Sequence, residues 1–178
     1  IIIADKIQLY PKAFYEKGLS IVTVPTTRNH TNAVNPAIKS LNYLNNILAK
    51  IEATNAGCVE AIMLNHEGFV AECTGDNVFM LKDDKMYTPP LAAGALHGIT
   101  RGVAIDLAEV NGVKVSEPNL TRYDLYNADE VFITGTAAEV VPVVKIDGRQ
   151  IGRGKPGKLT KKLMKAYQHL TNSTGQAI

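Results

Sequence analysis

The chain has 178 residues, a length that suits one domain. Apolar residues make up 46% and charged residues 20%, a globular composition rather than a disordered one. Nineteen Lys and Arg against 17 Asp and Glu give +2, too little to hold a nucleic acid or a membrane surface by bulk charge.

In chain order, residues 19–24 alternate and are β-branched, so they read as a strand. Asn35-Pro36 then offers an N-cap and a first-turn proline. Ile38, Leu41, Leu44, Leu48 and Ile51 follow at helical spacing, and Gly57 closes the segment. The expectation is one long amphipathic helix. Residues 59–64, 69–72, 78–81 and 86–88 read as short strands, with turns at Glu67-Gly68 and Asp83-Asp84. Residues 94–100 read as a loop feeding a helix at 101–110, which Asn111-Gly112 stops. A short strand at 113–115 follows, and Thr121 with Asp124 resembles a capping box. Strands are expected at 130–134 and 140–146, with Asp147-Gly148 as a hairpin turn. A helix over 157–170 ends the chain, with Leu159, Leu163, Ala166 and Leu170 as its apolar stripe. The outline is mixed α/β (α+β), with many short strands and three or four helices. It lacks the alternation of a doubly wound sheet.

Two cysteines, Cys58 and Cys73, exclude a disulfide scaffold and a four-cysteine zinc site. No apolar run nears the ~20 residues of a membrane span. The isoleucines at 1–3 are too short for a leader, and Asp5 follows at once. A cytoplasmic setting is expected, and the Asn-x-Ser/Thr triplets at Asn29, Asn119 and Asn172 then read as chance. Because the chain opens on Ile1 rather than Met, a fragment or processed product is expected.

His30, His66, His97 and His169 are too scattered for a local metal motif, and no P-loop or Gly-x-Ser-x-Gly occurs. The basic run from Arg153 to Lys165 reads as a solvated helix face rather than an anion patch. Two turns suit an anion: Thr134-Gly-Thr-Ala-Ala138 after a strand, and Gly98-Ile99-Thr100 opening a helix. Each alone is weak, because a threonine at a helix start is ordinarily a cap. Lys39 falls in the first turn of the expected long helix, where the positive helix end would lower its pKa and favour Schiff-base chemistry. Its plain alternative is a surface lysine. Glu72 has no local explanation.

These pieces, in this order, resemble the branched-chain aminotransferases, the fold-type IV enzymes that use pyridoxal 5′-phosphate (PLP). The resemblance rests on Ile38-Lys-Ser-Leu-Asn-Tyr-Leu44, Glu72-Cys-Thr-Gly-Asp-Asn-Val-Phe79, Leu96-His-Gly-Ile-Thr-Arg101 and Gly135-Thr-Ala-Ala-Glu139, with Thr88-Pro-Pro90 between the second and third. It covers residues 10–170. It implies that Lys39 holds the cofactor as a Schiff base and then moves a proton between the substrate Cα and the cofactor C4′. Tyr43, expected on the same helix face, would bond the phenolic oxygen. Glu72 would face the pyridine nitrogen and keep it protonated, with Asn77 supporting that turn. Gly98, Ile99, Thr100 and Thr136 would take the phosphate, and Leu96 would pack on the ring. Thr136, Ala137 and Ala138 would lie near the substrate carboxylate.

The implied reaction is transfer of the amino group of L-leucine, L-isoleucine or L-valine to 2-oxoglutarate, within branched-chain amino-acid biosynthesis. A homodimer or larger homo-oligomer is implied, with no nucleic-acid or membrane partner. The relatives' smaller N-terminal domain is absent, so the chain resembles the larger, cofactor-binding domain alone. Cys73 stands where glycine is common, and His97 where proline is frequent. The alternatives are a D-amino-acid aminotransferase, an aminodeoxychorismate lyase, or an inactive body without a formed cofactor site. Asn42-Tyr43 looks more like the branched-chain group.

Overall fold

The structure, a computed structural model, describes residues 10–174. The isoleucines at 1–3, weighed above as a leader, lie outside the described residues. Nine strands form one sheet: β1 Leu19–Thr23, β2 Ala61–Leu64, β3 Val70–Cys73, β4 Asn77–Lys82, β5 Lys85–Tyr87, β6 Val115–Ser116, β7 Glu130–Gly135, β8 Glu139–Ile146 and β9 Arg149–Gln150. The order is β3-β2-β1-β8-β7-β4-β5-β6, with β9 paired to β8. Five α-helices accompany it: α1 Lys12–Lys17, α2 Leu44–Asn55, α3 Ile99–Val110, α4 Arg122–Tyr126 and α5 Lys158–Ser173. The mixed α/β outline holds, with one helix more than expected. The extra one is α1, a six-residue segment between Pro11 and Gly18 that buries no residue and so carries no periodic signal.

The sheet is curled, and chain geometry forces this. Five pairings separate β3 from β4 in the strand order. Laid flat, at about 4.8 Å per pairing, they would lie about 24 Å apart. Only residues 74–76 join them, a reach of about 14 Å at full extension. Strand alternation then sorts the apolar residues onto two faces. Val78 and Met80 of β4 and Val131 and Ile133 of β7 point to the cluster inside the curl. Phe79, Leu81 and Phe132 point outward to α3 and α5, where Ala104, Ala108 and Leu163 meet them. Phe79 and Phe132 are paired in register and stacked, with centroids 4.8 Å apart and planes 4° from parallel.

The expected long helix is corrected. Asn35 does accept from the Ala37 N–H, but it caps only a 3₁₀ turn, Pro36–Ile38. Lys39 follows in the left-handed region, at φ 50° and ψ 43°, which a right-handed helix cannot pass through. The α-helix begins only at Leu44. Its buried face is Asn46, Ala49 and Ala53, while Leu44, Ile47, Leu48 and Ile51 are exposed. The apolar periodicity therefore marks a face that this chain leaves uncovered.

The turn and capping readings hold. Asp83 and Asp84 both take positive φ in the β4–β5 turn, as does Asp147 in the β8–β9 turn. Thr121 and Asp124 form the reciprocal capping box of α4. On α5 the lysines Lys158, Lys161, Lys162 and Lys165 are exposed as expected, but the stripe is corrected: the buried face is Thr160, Leu163 and Tyr167, while Leu159, Ala166 and Leu170 are half-buried. No helix among the described residues is long and apolar enough to cross a membrane.

The start of α5 has no side-chain cap from its own N-cap, Gly157. Glu130 of β7 replaces it: its carboxylate accepts from the Leu159 N–H at 3.1 Å, the Thr160 N–H at 2.8 Å and the Thr160 hydroxyl at 2.6 Å. The helix dipole favours an anion there. Glu130→Ala should therefore cost about 1–2 kcal/mol. A lower urea midpoint with an unchanged slope is the expected reading. An unchanged midpoint would show that water serves these donors equally well.

Candidate active site

The β3–β4 turn brings together Glu72, Asp76 and, through Thr74, Glu60 from just before β2. Glu72, next to last in β3, is 5% exposed. Its Oε1 accepts from Nη2 of Arg28 at 2.5 Å. Its Oε2 accepts from Nδ2 of Asn77 at 3.1 Å and from the Leu96 N–H at 2.9 Å. A carboxylate offers about four acceptor sites, so one remains, on Oε1. Burial raises the Glu72 pKa, and Arg28 is the first influence opposing it. Asn77 thus supports Glu72 as expected, and also donates to the Leu96 carbonyl at 2.9 Å.

A cavity opens beside Glu72. Lys39, Tyr43, Leu96, Gly98, Ile99, Thr100 and Thr136 all line it, so the eight cofactor candidates, Glu72 included, converge on one space. Lys39 and Tyr43 reach it by another route than the shared helix face expected. The chain between them is not helical, and Lys39, lying before α2, has no helix end to act on it. A left-handed lysine is a strained conformation, and such outliers gather at functional sites. Tyr43 turns inward, and its hydroxyl donates to the Thr74 carbonyl at 2.9 Å. Its phenol is raised by burial and then by Glu72, so it stays a proton donor.

The far wall of the cavity is the start of α3. Gly98 is the N-cap, and a Cβ there would come 2.3 Å from Oδ1 of Asn77, so only glycine fits. The first N–H groups of α3 lack helical partners and can meet an anion. Thr134, on β7 opposite Asn77, lines the same cavity. It is 1% exposed, and its hydroxyl has no hydrogen-bond partner. A buried orphan of this kind is costly, so a ligand oxygen at this wall would satisfy it.

A second cavity of about 410 Å³ adjoins the first and shares Tyr43, Asp76 and Thr136 with it. Ala137 and Ala138 line this second space and not the first, whereas Thr136, the third substrate candidate, borders both, as does Tyr43. The Tyr15 hydroxyl fixes their turn by donating to the Ala138 carbonyl at 3.0 Å. Cys73 is fully buried, and burial pushes its thiol well up, so it is a core residue rather than a nucleophile. His97 lies on the exposed rim.

Two residues lacked a signal in the sequence. Arg28 is a lone arginine in a loop, yet it is 6% exposed. Asp76 sits in the β3–β4 turn, where an aspartate is commonplace, yet it borders both cavities. Its carboxyl accepts from the Tyr10 hydroxyl at 3.3 Å. Burial and then Glu60 push it from 3.8 up to about 7. A carboxyl that binds its proton more tightly when folded stabilises the fold at low pH. That contribution fades as pH rises from about 4 to about 7. Asp76→Asn removes this titration. Its stability relative to the parent chain should rise across that window and level off above it, read as urea midpoints at each pH. A constant gap would exclude the titration.

Comparison with known proteins identifies the family. The Amino-transferase class IV family matches residues 1–146. A putative branched-chain-amino-acid aminotransferase of Methanocaldococcus jannaschii is 49% identical over 165 residues, 93% of this chain and 57% of the relative. The crystal structure of the Escherichia coli branched-chain amino acid aminotransferase superposes with a TM-score of 0.88 at 40% identity, covering 90% of this chain and 53% of that one. That of the Thermobaculum terrenum branched-chain amino acid aminotransferase, in its PLP-form, gives 0.82 at 40%, covering 85% and 50%. The chain thus spans about half the length of these relatives. Its own sequence and fold settle the family: the chain belongs to the class IV aminotransferases.

Proposed function

We propose that this chain is the larger, cofactor-holding domain of an enzyme that binds pyridoxal 5′-phosphate. The enzyme transfers the amino group of L-leucine, L-isoleucine or L-valine to 2-oxoglutarate, giving a branched 2-oxo acid and glutamate. The observation that carries this is the convergence of Lys39, Tyr43, Glu72 and the start of α3 on one cavity. The Thermobaculum terrenum relative, solved in its PLP-form, supports it.

The residues present fit the cofactor. The α3 N–H groups with Thr100 and Thr136 suit its phosphate, and the orphan Thr134 hydroxyl gains a partner at that wall. The remaining acceptor site of Glu72 suits a protonated ring nitrogen. When bound, pyridoxal phosphate supplies an electron sink for the substrate α-carbon. Lys39 is the residue that holds the cofactor covalently through Nζ. Released from that bond, the same amine would take the proton from the substrate Cα and deliver it to the cofactor C4′. Tyr43 turns its donor from the Thr74 carbonyl to the phenolic oxygen. Ala137 and Ala138 border the neighbouring cavity, where the substrate carboxylate and side chain sit.

Exposed Leu44, Ile47, Leu48 and Ile51 on α2, close to Lys39 and Tyr43, support a homo-oligomer or a further domain completing the wall. The same open rim favours one rival: a chain that needs this cover before it turns over. We place the enzyme in the cytoplasm, and D-alanine and aminodeoxychorismate serve as control substrates.

The test is to add pyridoxal phosphate, reduce with borohydride and map the modified peptide. Label confined to Lys39, and lost in Lys39→Ala, is the expected result. Label spread over surface lysines would sink the assignment. In the covered enzyme, Lys39→Ala should lower turnover of L-leucine by about 10²–10⁴-fold. Preference for D-alanine over the branched L-amino acids would move the function to the D-amino-acid group.

A further inference from the structure

Arg28 follows β1 in a loop and spends its guanidinium inside the protein. Nε donates to the Gly94 carbonyl at 3.1 Å, Nη1 to the side-chain oxygen of Asn46, and Nη2 to Glu72. It thereby ties three segments to the cavity wall: the 3₁₀ turn Leu91–Ala93 through Gly94, α2 through Asn46, and β3 through Glu72. Both members of the ion pair are buried. A buried arginine of this kind is retained only where its charge is answered.

The charges around Glu72 divide unevenly. Arg28 and, more weakly, Lys39 favour its ionised form, against the burial that opposes it. Asp76, Tyr43 and Cys73 also face it, and none of them is a cation. Of the two cations, Lys39 is the group whose amine the proposed reaction uses, so its charge changes during turnover. Arg28 keeps its charge at every step. The planar fork also fixes direction: with Nη2 on Oε1 and two N–H donors on Oε2, the carboxylate cannot rotate without breaking three bonds.

We propose that Arg28 is the positioning residue for Glu72. It holds the buried carboxylate charged and turned, with its one remaining acceptor site toward the ring nitrogen in the cavity. This rests on the cofactor reading above. Arg28 also borders the cavity, but in this role it acts through Glu72.

Carbon-13 carboxyl NMR of the 178-residue chain, free of cofactor, reads the role directly. The Glu72 signal is assigned by its loss in Glu72→Gln. In Arg28→Met the Glu72 titration midpoint should move up from its value in the parent chain. In Arg28→Lys, which keeps the charge and loses the fork, it should return part of the way. A merely structural tie would leave the midpoint in place, and that result overturns the proposal. Should Arg28→Met not fold, Arg28→Gln keeps an amide for the Gly94 and Asn46 bonds, and the same upward shift is expected. Borohydride labelling of Lys39 in the parent chain separates the two questions. Its failure counts against the cofactor reading, whereas the midpoint answers for Arg28 without any cofactor present.

Discussion

Residues 74–76 are the constraint on which the site depends. They join strands that five pairings hold apart, so the sheet must curl until β3 and β4 meet. That meeting sets Glu72 at the end of one strand beside Asn77 at the start of the next. The β4–β7 register then brings Thr134 opposite Asn77, and Gly135 beside Asp76. At Gly135 a Cβ would come 2.2 Å from Oδ1 of Asp76, so the contact needs glycine. Gly98 repeats the device against Asn77. One short turn thus gathers residues from β3, β4, β7 and the start of α3, although they are spread over some sixty positions of chain.

The same turn concentrates negative charge, and the fold answers each carboxyl differently. Glu60 accepts from the Ala61 N–H and from both the N–H and the hydroxyl of Thr74, with Lys50 at 3.4 Å. Glu72 has the buried arginine. Asp76 has the Tyr10 hydroxyl, which is a much weaker answer, and its carboxyl rises to about 7. Burial raises both Glu72 and Asp76, but only Glu72 has a cation bonded to it to oppose that rise. The cavities therefore open onto unlike carboxyl groups: Glu72, bonded to Arg28, beside the first, and Asp76, raised to about 7, at the border with the second.

Sequence patterns carried the strands well, because alternation within β4 and β7 is imposed by two cores on opposite faces. Turns were legible where side-chain chemistry dictates them, as at Asp83-Asp84 and in the Thr121 capping box. The site motifs were legible as a resemblance, and the cavity gathers all eight cofactor candidates. The helix at Lys39 was not legible. Its apolar repeat is real, but it continues across a left-handed residue and serves an exposed face, so periodicity alone reports the wrong start and the wrong buried side. Arg28 had no signal at all. A single arginine in a polar loop reads as surface until the fold closes around it. Asp76 was hidden for the opposite reason, since a turn explains an aspartate too easily.

The unexpected geometry of α2 follows from which side chains it buries. Ala49 and Ala53 are fully buried against Ala61 and Met63, and small residues let a helix backbone lie close to a sheet. That closeness is what brings Asn46 to the site. Its Nδ2 donates to the Thr74 carbonyl at 2.8 Å, while its oxygen accepts from Arg28. Bulky leucines on this face would lift the helix and break both bonds, so they occupy the other face. The helix thus trades hydrophobic burial within this chain for a polar link between Arg28 and the β3–β4 turn. Tyr43, its N-cap, bonds the same Thr74 carbonyl from the cavity side. Two side chains of one helix end therefore converge on one carbonyl oxygen. The arginine behind the helix and the glutamate beneath it are joined through Asn46 and the Thr74 carbonyl to Tyr43 in a single hydrogen-bonded frame.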